Sequence, residues 1–386
     1  MLARALAKEP GRRYRSAGEL LAATRSALRL GEAPAAGPTR PRWLIPAVAV
    51  ALLVGVAVIA ALVLEGGSSR LSAVSPNSVG VIDSASAKLV DDVQVGIDPQ
   101  AIAFGAGGVW VANVEDRSIT RIDPATHELV RAGIGVPDYP SDVITGAGDA
   151  WVALGATAEL VRINPEQNQT SDPVSAVGAR AGCGAPFASL AFGAGEVWFV
   201  CQGGTEFGSY DPRTGVARRL ALECQLATFS KSRLPQYADM TFGLDTVWIA
   251  NSAGNQVVGV DPVICQDPDQ VSAGSGPIAV TVSGNSLWVA NFDADTVMRI
   301  DDPAGGAPIP STFDVGDGPS DVAVDESGVW VVNKLDRNVM RLDRETGHVE
   351  ATIELGNEPQ RIAVGGGSVW VTVRAPVELE SGSTTP

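Results

Sequence analysis

The pentapeptide VWVAN recurs, with variations, seven times along this chain, centred on Trp110, Trp151, Trp198, Trp248, Trp288, Trp330 and Trp370. The intervals are 41, 47, 50, 40, 42 and 40 residues, which is the period of a four-stranded propeller blade. Each copy reads in the same order: an apolar run, a Gly-rich turn, the Trp strand, a polar turn, a third strand ending in Asp-Pro or its equivalent, and a fourth strand. Apolar residues alternate with polar or small ones and helical spacing is absent from the repeats, so each copy is read as a set of strands.

The phase of the repeat also predicts how the ring closes. Residues 78–96 match the second half of a repeat, whereas the last copy, at 360–373, stops after its first half. Pairing the two halves in one blade removes the unpaired sheet edges that an open ring would leave. The expected fold is therefore all-β: a seven-bladed β-propeller over 78–376 with a composite closing blade, and a disordered tail at 377–386.

Upstream, residues 44–64 are uncharged and almost wholly apolar, about 31 Å long as a helix, which matches a bilayer core. They are expected to form a single transmembrane helix. Residues 1–43 hold nine Arg or Lys against three Glu, a net +6, whereas 44–386 carry 19 basic and 41 acidic groups, a net −22. The positive flank places the N-terminus in the cytoplasm and the propeller outside it, with the lipid bilayer as a partner through the one helix. A domain at −22 repels phosphates, which disfavours nucleic acid as a partner. The Pro/Gly/Ala-rich stretch 31–43 and the Gly/Ser-rich stretch 65–77 read as linkers on either side of the span.

Residues 1–30 contain LARALAKEPGRRYRSAGELLAATRSAL. This resembles the helical end of the C-lobe in bacterial serine/threonine protein kinases: Pro10, Arg13, Tyr14, Ser16, Ala17, Glu19 and Leu20 match that family's pattern, and Glu9 replaces its Asp. Kinase tail, linker, membrane helix and exported repeat domain is the layout of bacterial receptor kinases, and the repeats resemble the YVTN/YncE and NHL-like propeller families. The resemblance implies an extracytoplasmic sensor for a peptide, glycan or protein ligand, with a cytoplasmic kinase domain encoded upstream or acting in trans. The phosphate-binding loop, catalytic lysine, His-Arg-Asp and Asp-Phe-Gly of a kinase are absent from the sequence, and phosphoryl transfer needs them. The chain as given is thus expected to have no catalytic residues, no cofactor, no metal and no enzymatic activity of its own. The alternatives are a kinase-independent interaction propeller or an enzyme similar to streptogramin B lyases, seven-bladed propellers with a metal and a catalytic His on one face. Here His127 and His348 fall near third-to-fourth strand turns, which places them on the opposite face.

Within the repeats, the tryptophans and the following Asn113, Asn251, Asn291 and Asn333 read as packing and turn-forming residues. Asp123, Asp211, Asp261 and Asp343 read as solvated turn formers. The position just before each innermost strand is more informative, aligning as Ala101, Asp142, Ser189, Asp239, Ala279, Asp321 and Arg361. Those side chains should ring the mouth of the central channel, where Asp142, Ser189, Asp239, Asp321 and Arg361 form a candidate site for a cation or polar ligand. A hydrated ring at a solvent-filled pore is the plain structural alternative. Four cysteines, Cys183, Cys201, Cys224 and Cys265, are disulfide candidates in an exported domain. Position along the third repeat favours Cys183 with Cys201, which leaves Cys224 with Cys265.

Overall fold

Seven antiparallel sheets are arranged in sequence order around a closed ring in the computed structural model, which describes residues 71–175, 187–201, 207–219, 237–263, 269–304 and 307–376. The kinase-like segment at 1–30, the linker at 31–43, the apolar segment at 44–64 and the tail at 377–386 lie outside the described residues, as does the first part of the linker at 65–77, residues 65–70. Among the described residues, the helical elements are two single 3-10 turns, Ser252–Gly254 and Phe292–Ala294, and no helix is long and apolar enough to cross a membrane.

Blades 1 to 6 occupy 99–135, 140–175, 187–219, 237–272, 277–314 and 319–354. The seventh is composite, as the repeat phase predicts: its order is Lys88–Gln94, Ser78–Asp83, Ser368–Arg374, Glu358–Gly365. Ser78–Asp83 runs antiparallel to the last Trp strand, from Ser78 opposite Val373 to Asp83 opposite Ser368. Two halves about 280 residues apart in sequence thus share one sheet, and among the described residues this pairing is the only one that joins strands distant in sequence within a blade. Blade 2 departs from four strands because its outer strand is split into Gln169–Thr170 and Val174–Ser175. Pro173 lies in the break, where it has no N–H to give to a ladder.

The Trp strand is buried on both faces because it lies inside a sheet that is itself sandwiched between neighbouring blades. All six residues of Gly108–Asn113 and of Gly328–Asn333 are buried, which explains why these strands read as nearly continuous apolar runs. The tryptophans are structural, as expected: each is at most 2% exposed. The indole N–H of Trp110 donates to the Gly105 carbonyl at 3.0 Å, and Trp198 does the same to Gly193. Gly105 and its counterparts precede tight hairpins; Ala106 and Gly107, at φ 45° and 69°, form one in which both central residues are left-handed. Guanidinium groups lie over three of the rings, Arg121 on Trp110 at 5.0 Å, Arg299 on Trp288 at 5.9 Å and Arg341 on Trp330 at 5.6 Å. Each then donates to a turn carbonyl of the following blade, at Pro165, Arg344 and Ser84 respectively. The turn aspartates also behave as read: Asp123, Asp211, Asp261 and Asp343 accept backbone N–H groups two or three residues ahead.

Candidate functional site

Each repeat's first strand lies innermost, and successive inner strands touch one another around the closed ring. An inner strand is therefore a sheet edge facing the channel, with backbone groups that no ladder partner can satisfy. Proline opens five of the seven, at Pro99, Pro140, Pro277, Pro319 and, one residue inside, Pro359, a position where a missing N–H costs the sheet nothing. The pairing register then slips at the same place in every inner strand, for instance between Pro140 and Asp142 and between Pro319 and Asp321. This bulge re-aims the residue that follows it. The aligned residues lie inside the strands, as the third residue or, for Arg361, the fourth, rather than just before them as expected, because each strand begins ahead of the bulge.

The bulge turns the predicted ring into a set of clasps between blades. Asp142 Oδ2 accepts the Leu190 N–H of blade 3 at 2.7 Å, and Ser189 Oγ accepts the Met240 N–H of blade 4 at 3.3 Å. Asp239 Oδ2 accepts the Val280 N–H of blade 5 at 3.0 Å, and Asp321 Oδ2 accepts the Ile362 N–H of blade 7 at 2.9 Å. One rule covers all four: the ring residue holds the N–H just after the ring position of the next blade. Where the preceding blade offers only Ala101 or Ala279, the corresponding N–H, of Val143 or Val322, turns to the carboxylate beside it, at 2.8 Å in both cases. Arg361 cannot accept, and the junction of blades 7 and 1 uses Thr372 instead. Its hydroxyl donates to the Gln100 carbonyl at 2.6 Å and accepts the Arg361 N–H at 3.1 Å.

All five predicted site residues line one cavity of about 400 Å³. The Ser189 hydroxyl donates to Asp239 Oδ1 at 3.0 Å. Arg361 Nη1 lies 3.9 Å from both Asp239 Oδ1 and Asp321 Oδ1, a charge contact too long for a hydrogen bond. Its side chain is 30% exposed, against 17% and 13% for the two aspartates. Burial pushes Asp142 up to about 6, although the Leu190 N–H and Arg361 pull the other way. Burial likewise raises Asp321 to about 7, with Asp239 adding to the rise and Arg361 opposing it. Desolvation disfavours the Arg361 cation too, but Asp321, Asp239 and Asp142 outweigh it and hold its pKa above the ordinary arginine value. Three carboxylates against one guanidinium leave the cluster short of positive charge. Among the described residues, no group of three or more His, Cys, Asp or Glu is arranged to hold a metal ion.

Three residues further along the inner strands the cavity wall becomes aromatic, at Phe104, Phe192 and Phe242. Their rings rest on Gly365, Gly146 and Gly193 of the preceding blades, where any Cβ would run into them. Sequence reasoning singles out neither this aromatic wall nor Thr372. The repeat alignment does carry both signals: Thr372 replaces the Ala or Val that stands two places after the Trp in the other copies, and the phenylalanines share one repeat position.

The other predicted positions lie elsewhere. Cys201 is disulfide-bonded, while Cys183, Cys224 and Cys265 lie outside the described residues. His127 and His348 sit in third-to-fourth strand turns, as read, and neither lines the channel. The His127 ring is 3.0 Å from Asp91 of the closing blade and edge-on to Trp370, with ring centroids 5.2 Å apart.

No family model and no curated protein matches the chain. Among solved structures, it is similar to a streptogramin B lyase with 17% identity and a TM-score of 0.60, over 77% of this chain and 95% of that one. It is also similar to a catalytically inactive virginiamycin B lyase from Staphylococcus aureus with quinupristin (15% identity, TM-score 0.57, 72% and 95% coverage). Kuenenia stuttgartiensis hydrazine synthase is similar at 14% identity and a TM-score of 0.57, over 70% and 90% of the two chains. These likenesses correct one expectation. The reading of the chain as devoid of enzymatic activity does not stand, because lyases are built on the same propeller; at these identities the likeness shows the fold and establishes no activity.

Proposed function

We propose that the propeller is a ligand-binding module whose ligand places a cationic group among Asp142, Ser189, Asp239, Asp321 and Arg361 at the channel mouth. The observation that carries this reading is the charge imbalance in a confined space: three largely buried carboxylates, one guanidinium held 3.9 Å from two of them, and a cavity of about 400 Å³. Charge placed in a low-dielectric pocket seeks a counter-charge. Each carboxylate oxygen already accepts one protein hydrogen bond, and each has a second lone pair for an incoming donor.

In the larger architecture, the apolar segment 44–64 and its basic N-terminal flank support a single-pass membrane anchor with the propeller outside the cytoplasm. The kinase-like residues Pro10, Arg13, Tyr14 and Glu19 support a receptor that reports to a cytoplasmic serine/threonine kinase. Titrating the full chain with n-butylamine by calorimetry at pH 7.5 tests the site. Saturable binding that is lost on changing Asp239→Asn is expected, and heat that is unaffected by that change would send the site elsewhere. Protease added to intact cells tests the placement, since only a propeller outside the cytoplasm is cleaved while the membrane remains closed.

A further inference from the structure

The channel has two chemically different levels, and both belong to one cavity. Asp142, Ser189 and Asp239 stand three residues before Thr145, Phe192 and Phe242 on the same strands. At roughly 3.3 Å per residue, the levels are about 10 Å apart along the channel. The cavity is not centred on the ring axis: four consecutive inner strands supply most of its wall, and blades 5 to 7 add only Thr281, Asp321 and Arg361. Polar and aromatic groups therefore lie one above the other on the same side.

The aromatic level is open to an occupant. Phe104 is 36% exposed, and Phe192 and Phe242 are partly exposed. These rings are also fixed in place: Gly146 and Gly193 leave room for Phe192 and Phe242 that a Cβ would remove. Fixed, partly exposed aromatic rings beside a few convergent polar groups have the composition of a small-molecule site, and about 400 Å³ falls at the lower end of the volumes such sites have.

We infer that the channel binds an amphipathic amine, with its ammonium among Asp142, Asp239 and Asp321 and an apolar ring about 10 Å away against Phe192 and Phe242. This rests on the cation site proposed above and adds the class of molecule attached to the cation. A small inorganic cation would leave the aromatic level empty. A neutral apolar molecule would leave the carboxylates short of counter-charge.

The test compares three probes by calorimetry on the full chain: n-butylamine, 4-phenylbutylamine and 4-phenylbutanol. The aromatic amine should bind on the order of tenfold tighter than n-butylamine, as expected for burying a ring in a half-open apolar site, and the alcohol should bind weakly. In Phe192→Leu the aromatic amine should lose most of that advantage while n-butylamine is unchanged; leucine is smaller than the ring it replaces above Gly146, and the wild-type comparison stands if the variant misfolds. Equal affinity for the two amines would overturn the aromatic level and leave the cation site intact. An alcohol that binds as tightly as the aromatic amine would overturn the cation site. Absence of binding by either amine would overturn both.

Discussion

Asp321→Asn isolates what it costs to keep the ring charged. Asp142 and Asp321 titrate in the native protein near 6 and 7, above an ordinary value near 3.8. Because both are raised, the native state holds protons that the unfolded chain has already released. Their stabilising effect is therefore complete below about pH 3.8 and is lost as the pH rises through 6 and then 7. Each tenfold difference in proton affinity between the native and unfolded states is worth about 1.36 kcal/mol, so the two groups together should make the propeller about 4 kcal/mol more stable at pH 5 than at pH 8, with Asp321 supplying the larger part. The carboxylates of Asp83, Asp211 and Asp343 are lowered instead by hydrogen bonds from Ser86, Thr214 and Thr346, so their contribution fails only in more acid solution. Stability should therefore keep rising as the pH falls to about 4 and decline again in more acid solution. An amide at position 321 has the shape of the protonated acid and does not titrate. Because its nitrogen cannot accept one of the two N–H groups that Asp321 holds, the variant should fall roughly 1 kcal/mol below wild type near pH 4, exceed it at pH 8 by about 3 kcal/mol, and keep only the part of the pH response that belongs to Asp142, about a third. Urea unfolding across pH 4–8 measures this. Asp314→Asn, at an exposed outer strand, removes one charge without touching the ring and corrects for net charge. A wild-type propeller that loses stability steadily from pH 8 to pH 5, or an Asp321→Asn variant with the full wild-type response, would refute the reasoning.

Three further outcomes follow from the packing. Deleting 78–96 removes the two outer strands of the closing blade and should expose both faces of the seam, so limited proteolysis should cut this variant far faster than wild type, whereas removing 377–386 should leave the rate unchanged. Gly146→Ala places a Cβ in the Phe192 ring and should destabilise by about 1–3 kcal/mol in urea, with Gly193→Ala behaving alike against Phe242. Thr372→Val keeps the volume but removes the hydroxyl shared by Gln100 and Arg361; it should cost about 1–3 kcal/mol and leave the pH response of Asp142 and Asp321 in place.

The period of the tryptophans and the phase of the two half-repeats are sufficient to read the architecture, including the strand pairing of Ser78–Asp83 with Ser368–Arg374. The reason is physical: a strand buried between two blades tolerates few residue types, so each copy carries the same apolar signature. The ring residues are legible as a set for a different reason. They vary from blade to blade, as Ala, Asp, Ser or Arg, at a position where the backbone does not vary, and such variation is visible once the copies are superposed. Their partners are not legible, because each clasp joins one repeat to the next and depends on a bulge, and the bulge leaves no residue signature of its own beyond the frequent proline two positions earlier.

The clasps also change how the ring should be interpreted. An aspartate that merely lined a wet pore could be replaced by asparagine at little consequence, and the sequence alone supports that expectation for Asp142, Asp239 and Asp321. In the structure both oxygens of each are engaged, so the same atoms that would meet a ligand also hold adjacent blades together. A cation seated there would lower the cost of ionising Asp142 and Asp321 and let them keep their backbone partners as full carboxylates. Binding and ring stability are then linked through one set of charges: a cationic ligand should stabilise the wild-type propeller more at pH 8, where the uncompensated charge is largest, than at pH 5. Thermal unfolding with and without 4-phenylbutylamine at the two pH values reads this directly, and an equal or larger rise in Tm at pH 5 would separate the ligand from the carboxylates.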